Sequence, residues 1–283
     1  MTKEKTVISS YDIIGDIAII ELPSGSRADP KLVAKEIKKT HPRVKTVLQK
    51  TGEREGELRL RSFRKIAGKE TETVHREHGF RFRLDPTRVY FSPREATERE
   101  RIASMVKPGE TVMVMFAGVG PFGIVIAGKQ PGVERVYQVE LNPAGFDYMK
   151  QNIIMNKLSH KVVSIPGDVR EACRPYFGRC DRVLTPLPRE SHRFLGIAVS
   201  CLNPRGIIHF YSVGHHKKGL KGKQAENELF AESLERLMKA CRKAGRTVKI
   251  LDKRRVLPFS PGSWKICIDV QVKALPNTRR KCA

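Results

Sequence analysis

The chain has 283 residues, 40% of them hydrophobic, enough for a sizeable core and for a small module ahead of a larger catalytic domain. Its longest apolar stretches, such as Val112-Met113-Val114-Met115-Phe116-Ala117, fall far short of the roughly 20 residues that a membrane span needs, and no apolar secretory core follows the charged start, so a soluble cytoplasmic protein is expected. The 54 Lys and Arg against 30 Asp and Glu leave a formal net charge of +24, dispersed along the chain, a field that attracts polyanions and above all nucleic acid.

In chain order, 11–20 reads as two short β runs broken at Gly15-Asp16. A helix fits 30–40, with Leu32, Val33 and Ile37 at helical spacing and Pro30 near its start. Strand-like alternation follows over 44–48, 57–61, 72–75 and 80–84, completing a small α+β module. Arg59 with Arg61, and Arg81 with Arg83, alternate with apolar residues, which would give the module one core face and one cationic, RNA-facing side. After Tyr90-Phe91-Ser92-Pro93-Arg94 a helix is expected over 95–106. Strands over 111–115, 135–139, 162–165, 182–184, 206–211, 247–251 and 264–272 then alternate with helices near 123–128, 143–156, 189–201 and 223–244. Such alternation implies a mainly parallel sheet covered on both faces, and the long last strand suggests an antiparallel edge hairpin. The fold class is α/β, with a Rossmann-like domain over 89–283 behind a smaller α+β RNA-binding module over 1–88.

Cys173, Cys180, Cys201, Cys241, Cys267 and Cys282 show no close pair of the kind a zinc knuckle or redox site uses, so buried, reduced thiols are expected. The basic loop 214–223 holds His215 and His216 without a neighbouring carboxylate or cysteine, which fits a phosphate-contacting loop and no metal.

An apolar strand ends in Phe116-Ala117-Gly118-Val119-Gly120-Pro121-Phe122, where small residues let the backbone pass close to a ligand. About 20 residues on, the next strand ends in Glu140, a carboxylate able to accept from a ribose diol. Gly167-Asp168 ends a third strand. Three successive strand ends thus converge on one nucleoside, although Glu140 and Asp168 could equally cap the helices that follow them.

The residues alone do not separate a methyl donor from a dinucleotide. The block 90–211 resembles the archaeal and eukaryotic tRNA methyltransferases that modify N1 of guanosine 37. The resemblance is carried by Val89-Tyr90-Phe91-Ser92-Pro93-Arg94, the 115–122 turn, Glu140-Leu141-Asn142-Pro143, 152–158, Gly167-Asp168-Val169-Arg170-Glu171 and Gly206-Ile207-Ile208-His209-Phe210-Tyr211. Upstream it extends through 57–64 and Tyr11-Asp12-Ile13-Ile14-Gly15-Asp16, so it covers nearly the whole chain. It implies S-adenosyl-L-methionine as cofactor, the tRNA anticodon stem-loop as partner and a monomer. Glu140 with Leu141 would hold the ribose, Asp168 with Val169 the adenine, and Phe116, Ala117, Gly118, Val119, Gly120 and Phe122 the methionine part. Glu98 would be the general base, Arg59 the cation at guanine O6, and Tyr90 and Pro188 part of the guanosine pocket.

Three departures stand out. Val114 takes the place of an acidic residue, and Pro186 that of the asparagine in the family's Asn-Leu-Pro, where the Thr185 hydroxyl could substitute. The extra N-terminal domain that archaeal members set against the tRNA elbow has no counterpart, since Tyr11 already aligns with the domain after it. The alternatives are a paralogue acting on another tRNA base or transferring an aminocarboxypropyl group from the same donor, and a non-catalytic RNA-binding scaffold.

Overall fold

A computed structural model describes residues 11–23, 25–55, 60–217, 219–260 and 262–275. The first strands are the expected hairpin, β1 (Tyr11–Ile14) and β2 (Ile17–Ile20). Helix α1 (Pro30–Thr40) starts where Asp29 accepts from the Lys31 amide, and it buries Val33, Ala34 and Ile37. Strand β3 (Thr46–Glu55) pairs parallel with β2, and β4 (Leu60–Ala67) pairs antiparallel with β3, giving a sheet in the order β1-β2-β3-β4. The expected strand over 57–61 begins outside the described residues. The α1 side of the sheet packs Ala18, Ile20, Val33, Ile37 and Val47 together, while Ile14, Ile17, Ile19 and Leu48 join a larger core with Phe82, Ile102 and Val112.

The hairpin β5 (Thr73–Glu77) and β6 (Phe80–Leu84) forms a separate two-stranded sheet. A 3₁₀ turn, Pro93–Glu95, leads into α2 (Ala96–Met105). The alternating elements are β7 (Thr111–Val114), α3 (Pro121–Lys129), β8 (Arg135–Glu140), α4 (Pro143–Met155), β9 (Val162–Pro166), α5 (Val169–Ala172), β10 (Cys180–Thr185), α6 (Leu195–Cys201), β11 (Leu202–His215), α7 (Gly222–Lys243), β12 (Arg246–Ser260) and β13 (Ser263–Ala274).

Their strands make one seven-stranded sheet in the order β12-β13-β11-β10-β7-β8-β9, parallel except for β13, which runs antiparallel to both neighbours. Helices α2, α3 and α4 cover one face through Ile102, Phe122 and Met149. Helices α5, α6 and α7 cover the other through Val169, Leu195 and Phe230. The chain reverses direction of winding between β7 and β10, and at such a switch point the carboxyl ends of the strands leave a crevice for a ligand.

Where element boundaries differ from the sequence reading, tertiary contacts explain it. Strand β12 runs to Ser260 because bulged antiparallel pairing with β13 carries it past 251, and Pro258 is tolerated on this edge strand. The expected helix over 189–201 begins only at Leu195, since Ser191 donates its hydroxyl to the Tyr211 carbonyl and holds a 3₁₀ turn there. The arginine pair on β6 is not a free cationic face. Arg83 donates to Glu72 at 2.7 Å, and Arg81 donates to the Met155 carbonyl at 3.0 Å in the last turn of α4. The five described cysteines are buried and free.

Candidate active site

The turn after β7 needs two left-handed glycines, Gly118 at φ 59° and Gly120 at φ 85°. A Cβ on Gly120 would stand 2.9 Å from Met149 Cγ, so α4 also requires the missing side chain. Phe116 adopts φ 55° without being glycine, and its ring meets Phe194 edge-on at 5.0 Å. Backbone in this region is strained for a bulky residue and characteristically marks functional turns.

Glu140, at the end of β8, bridges the turn to the next helix. Its Oε2 accepts from the Gly118 amide at 2.6 Å and its Oε1 from the Asn142 amide at 2.8 Å. Burial raises its carboxyl above the ordinary glutamate range, against the pull of the Asn142 and Gly118 amides. Asn142, not Glu140, caps α4 by accepting from Ala144. Asp168 does cap α5, accepting from the Arg170 amide at 2.8 Å, and the Arg170 guanidinium grips the same carboxylate. That grip holds the carboxyl below its usual value, with burial opposing.

A cleft of about 1150 Å³ opens over these strand ends. Phe116, Gly118, Glu140, Leu141, Asp168 and Val169 line it, and so do Tyr90 and Pro188. Ala117, Val119, Gly120 and Phe122 are not among its lining residues; Ala117, Val119 and Phe122 are buried in the core, with Phe122 5.8 Å from the Tyr211 ring. The module contributes Lys50 and Arg61, and Arg94, Arg189 and Arg193 add charge from the larger domain. Arg59 lies outside the described residues, immediately before β4.

Glu98 is buried and is not one of the cleft's lining residues. Arg101 grips both of its oxygens, at 2.7 and 2.9 Å, and the Tyr211 hydroxyl donates to it at 2.8 Å. This is one end of a buried polar chain. Arg101 also donates to Asp269 at 2.6 Å, Asp269 bonds His209 at 2.6 Å, and Arg182 joins His209 to Glu110. His209, Cys267 and Asp269 bring ligand-type atoms together, but the Arg101 and Arg182 guanidiniums already occupy the group. Thr185 is fully buried and donates weakly to the His209 carbonyl at 3.4 Å, so its hydroxyl does not replace the asparagine lost at Pro186.

Sequence reasoning overlooked two groups. Asn152 of α4 accepts from the Arg83 amide at 2.7 Å and donates to the Val119 carbonyl at 3.0 Å, fastening the β5–β6 hairpin to the glycine turn. The other is Glu95, which lines the cleft with Lys265 2.8 Å away. Neither belongs to a periodic pattern; only the stretch containing Asn152 carried a signal, through its resemblance.

Comparison with known proteins decides which nucleoside this site serves. Residues 73–251 match the TRM5/TYW2 methyltransferase domain, and residues 1–71 match the TYW2 N-terminal domain. The chain belongs to the TRM5/TYW2 methyltransferase family. The tRNA (guanine(37)-N(1))-methyltransferase Trm5b of Pyrococcus abyssi is 41% identical over 93% of this chain and 75% of its own length. Its crystal structure superposes with a TM-score of 0.82 at 40% identity, covering 94% of this chain and 76% of that one. The tRNA 4-demethylwyosine(37)-methyltransferase Taw21 of Saccharolobus solfataricus is 36% identical over 76% of this chain and 82% of its own. A structure titled as a complex of aTrm5 with tRNALeu superposes with a TM-score of 0.78 at 31% identity, over 93% of this chain and 72% of that one. As a member of the TRM5/TYW2 family the chain uses S-adenosylmethionine, and the turn with Glu140 offers a close-approach backbone beside a half-buried carboxylate.

Proposed function

We propose that this protein transfers the methyl group of S-adenosylmethionine to N1 of guanosine 37 in tRNA, acting in the cytoplasm as a monomer on the anticodon stem-loop. The observation that carries this reading is the single cleft that joins the strand-end nucleoside site of Glu140 to Tyr90 and Pro188 beneath a rim of Lys50, Arg61, Arg94, Arg189 and Arg193. In this reading Glu140 and Leu141 hold the ribose, Asp168 and Val169 the adenine, and the 116–122 turn the methionine part. The donor held there would supply its methyl group to a base received on the Tyr90 side of the same cleft. Guanine N1 keeps its proton near neutral pH, so attack on the methyl needs a proton acceptor and a cation at O6. Glu98 and Arg59 are the residues to which the family resemblance assigns these tasks. The rim of arginines and lysines supplies phosphate contacts. No helix among the described residues is long and apolar enough to cross a membrane.

Pro186 favours a second acceptor. It lines the cleft where the family's asparagine would offer a donor and an acceptor, and proline's side chain offers neither. The Saccharolobus relative is named for such another acceptor, 4-demethylwyosine at position 37. Mass spectrometry of nucleosides decides between them, using tRNA that carries either guanosine or 4-demethylwyosine at position 37 and donor labelled in the methyl group. The first reading expects 1-methylguanosine; methylation only of the second tRNA overturns it. Transfer of an aminocarboxypropyl group would show as a larger mass increment without the methyl label. Absence of both products together with no cofactor binding at millimolar donor would leave a scaffold.

A further inference from the structure

The β12–β13 hairpin brings an aromatic ring to the cleft. Strand β12 ends in Leu257, Pro258, Phe259 and Ser260, and all four line it. Leu257 stands opposite Lys265, Pro258 opposite Trp264 and Ser260 opposite Ser263, so Phe259 is the extra residue of a bulge and has no cross-strand partner. A bulge bends its strand and re-aims a side chain, and bulges are over-represented beside active sites. The Phe259 ring is half-buried, and the Arg189 guanidinium lies over it, 5.0 Å from the ring centre. Arg189 is an exposed residue of the segment that follows β10, and it lines the cleft as well. Its neighbour Glu190 meets Arg193 at 3.6 Å, and among the described residues no carboxylate pairs with Arg189 itself.

A planar cation over an aromatic ring is a platform for nucleic acid: ring and guanidinium each offer a flat face to a base, and the charge attracts the adjoining phosphate. Modification of a base within an anticodon loop creates a need for such a platform. The target must leave the stack to reach the methyl donor, and the bases that flank it then lose a stacking partner. The position of Phe259 suits one of those neighbours. Tyr90 donates its hydroxyl to Glu95 at 2.9 Å, Glu95 meets Lys265 at 2.8 Å, and Lys265 stands opposite Leu257, two residues before the ring. Glu140 and Asp168, in contrast, stand at the ends of β8 and β9, five and six strands from β12 in the sheet. At about 4.8 Å per strand that is roughly 24 Å or more, which sets the proposed adenosine site far from Phe259. The cleft of about 1150 Å³ also exceeds the roughly 300–1,000 Å³ of a pocket for one small ligand, leaving space for a nucleotide beside the target. We propose that Phe259 and Arg189 form a stacking subsite for a base flanking position 37, with Arg189 also engaging the neighbouring phosphate. The subsite rests on the position-37 reading above and serves either acceptor base.

Two measurements test the subsite. In the first, tRNA with 5-iodouridine at position 36 or at position 38, and guanosine kept at 37, is irradiated on the unmodified protein in the presence of S-adenosylhomocysteine. The halogenated base crosslinks to an aromatic ring on which it stacks, and mass spectrometry of the peptides locates the bond. One of the two positions is expected to crosslink to Phe259; no crosslink there from either position overturns the proposal. In the second, affinities for tRNA and for cofactor are measured on Phe259→Leu, Phe259→Tyr and Arg189→Gln. Phe259→Leu should bind tRNA about 5–150-fold more weakly, the loss expected for one stacked base, with cofactor affinity unchanged. Phe259→Tyr keeps the ring and should recover most of that loss. Arg189→Gln should lower the slope of log affinity against log salt by about one, as the loss of a phosphate contact does. A loss below about twofold in Phe259→Leu overturns the proposal, as do equal losses in the Leu and Tyr variants. An equal loss of cofactor affinity also overturns it and gives the ring to the cofactor, and an unchanged salt slope in Arg189→Gln overturns the phosphate contact. If Phe259→Leu does not fold, the crosslink on the unmodified protein still decides. Failure of the unmodified protein to modify position 37 of either tRNA overturns the underlying reading, a result distinct from those seen only in the variants.

Discussion

The two ends of the cleft are built by different means. At the proposed cofactor end the polar groups are held by backbone: Glu140 by the Gly118 and Asn142 amides, Asp168 by the amide of the helix it caps. At the proposed acceptor end, and in the buried layer behind it, they are held by one another, in side-chain pairs such as Glu95 with Lys265, Glu98 with Arg101 and Glu77 with Arg99. A backbone-held site needs only a short stretch of chain in the right conformation. A site of paired charges needs elements far apart in sequence to dock first, and it leaves a bare buried charge if either partner is removed.

The largest effect should therefore come from the acceptor end. Arg99 meets both oxygens of Glu77 at 2.5 Å, with the side chains 2% and 3% exposed, and it also donates to the Ser92 carbonyl at 3.0 Å. It clamps the β5–β6 hairpin to the turn that carries Tyr90 and Glu95. Arg99→Met should cost about 3–5 kcal/mol of unfolding free energy in urea, and adding Glu77→Gln should recover much of it. A single-variant loss below about 1 kcal/mol would mean that the pair is screened as a surface pair is, and would erase the contrast between the two ends.

The cofactor end should respond in affinity more than in stability. Glu140→Ala removes the proposed charged acceptor for the ribose diol and should weaken S-adenosylmethionine binding by about 1.5–3 kcal/mol, read by calorimetry on folded protein. The same carboxyl gives a signed pH effect. Its proton is held more tightly than that of an ordinary glutamate because of burial. In the proposed contact the ionised form accepts from the diol, so affinity should be full above that raised pKa and fall as pH drops through it, beginning at a higher pH than a solvent-exposed glutamate would allow. In Glu140→Gln that dependence should disappear; its persistence would place the titrating group elsewhere.

The same difference decides what could be read from the chain. Strand-helix alternation, the glycine turn and the acids at the ends of β8 and β9 lie in contiguous stretches, and the sheet and its helices follow them with shifted ends. Glu95 and Lys265 are 170 positions apart and meet only because β13 inserts between β11 and β12. No local pattern foretells that insertion. The arginines of β6 show the opposite failure: their alternation was legible, but Glu72 and the end of α4, which engage them, were not. The β5–β6 hairpin was legible as strands, yet its seat on α4 through Asn152 and Asn156 depends on side-chain amides that meet backbone nearly 70 positions or more away.

The smallest effect is expected at Asp168, for a reason visible in its partners. Its side chain is 23% exposed, and Arg170 already meets both oxygens while the helix amide takes a share of one. An adenine amino group that bonds Asp168 must share that carboxylate with the guanidinium, so the gain is a difference between two partners in a wet rim. Asp168→Asn keeps an oxygen for the cap and for adenine and releases Arg170, so cofactor affinity should change by only about 0.2–1 kcal/mol. Arg170→Ala should strengthen cofactor binding by a similar amount, because it frees the carboxylate. A tenfold or greater loss in Asp168→Asn would show that adenine displaces Arg170 outright, and that the cofactor end also depends on a side-chain pair.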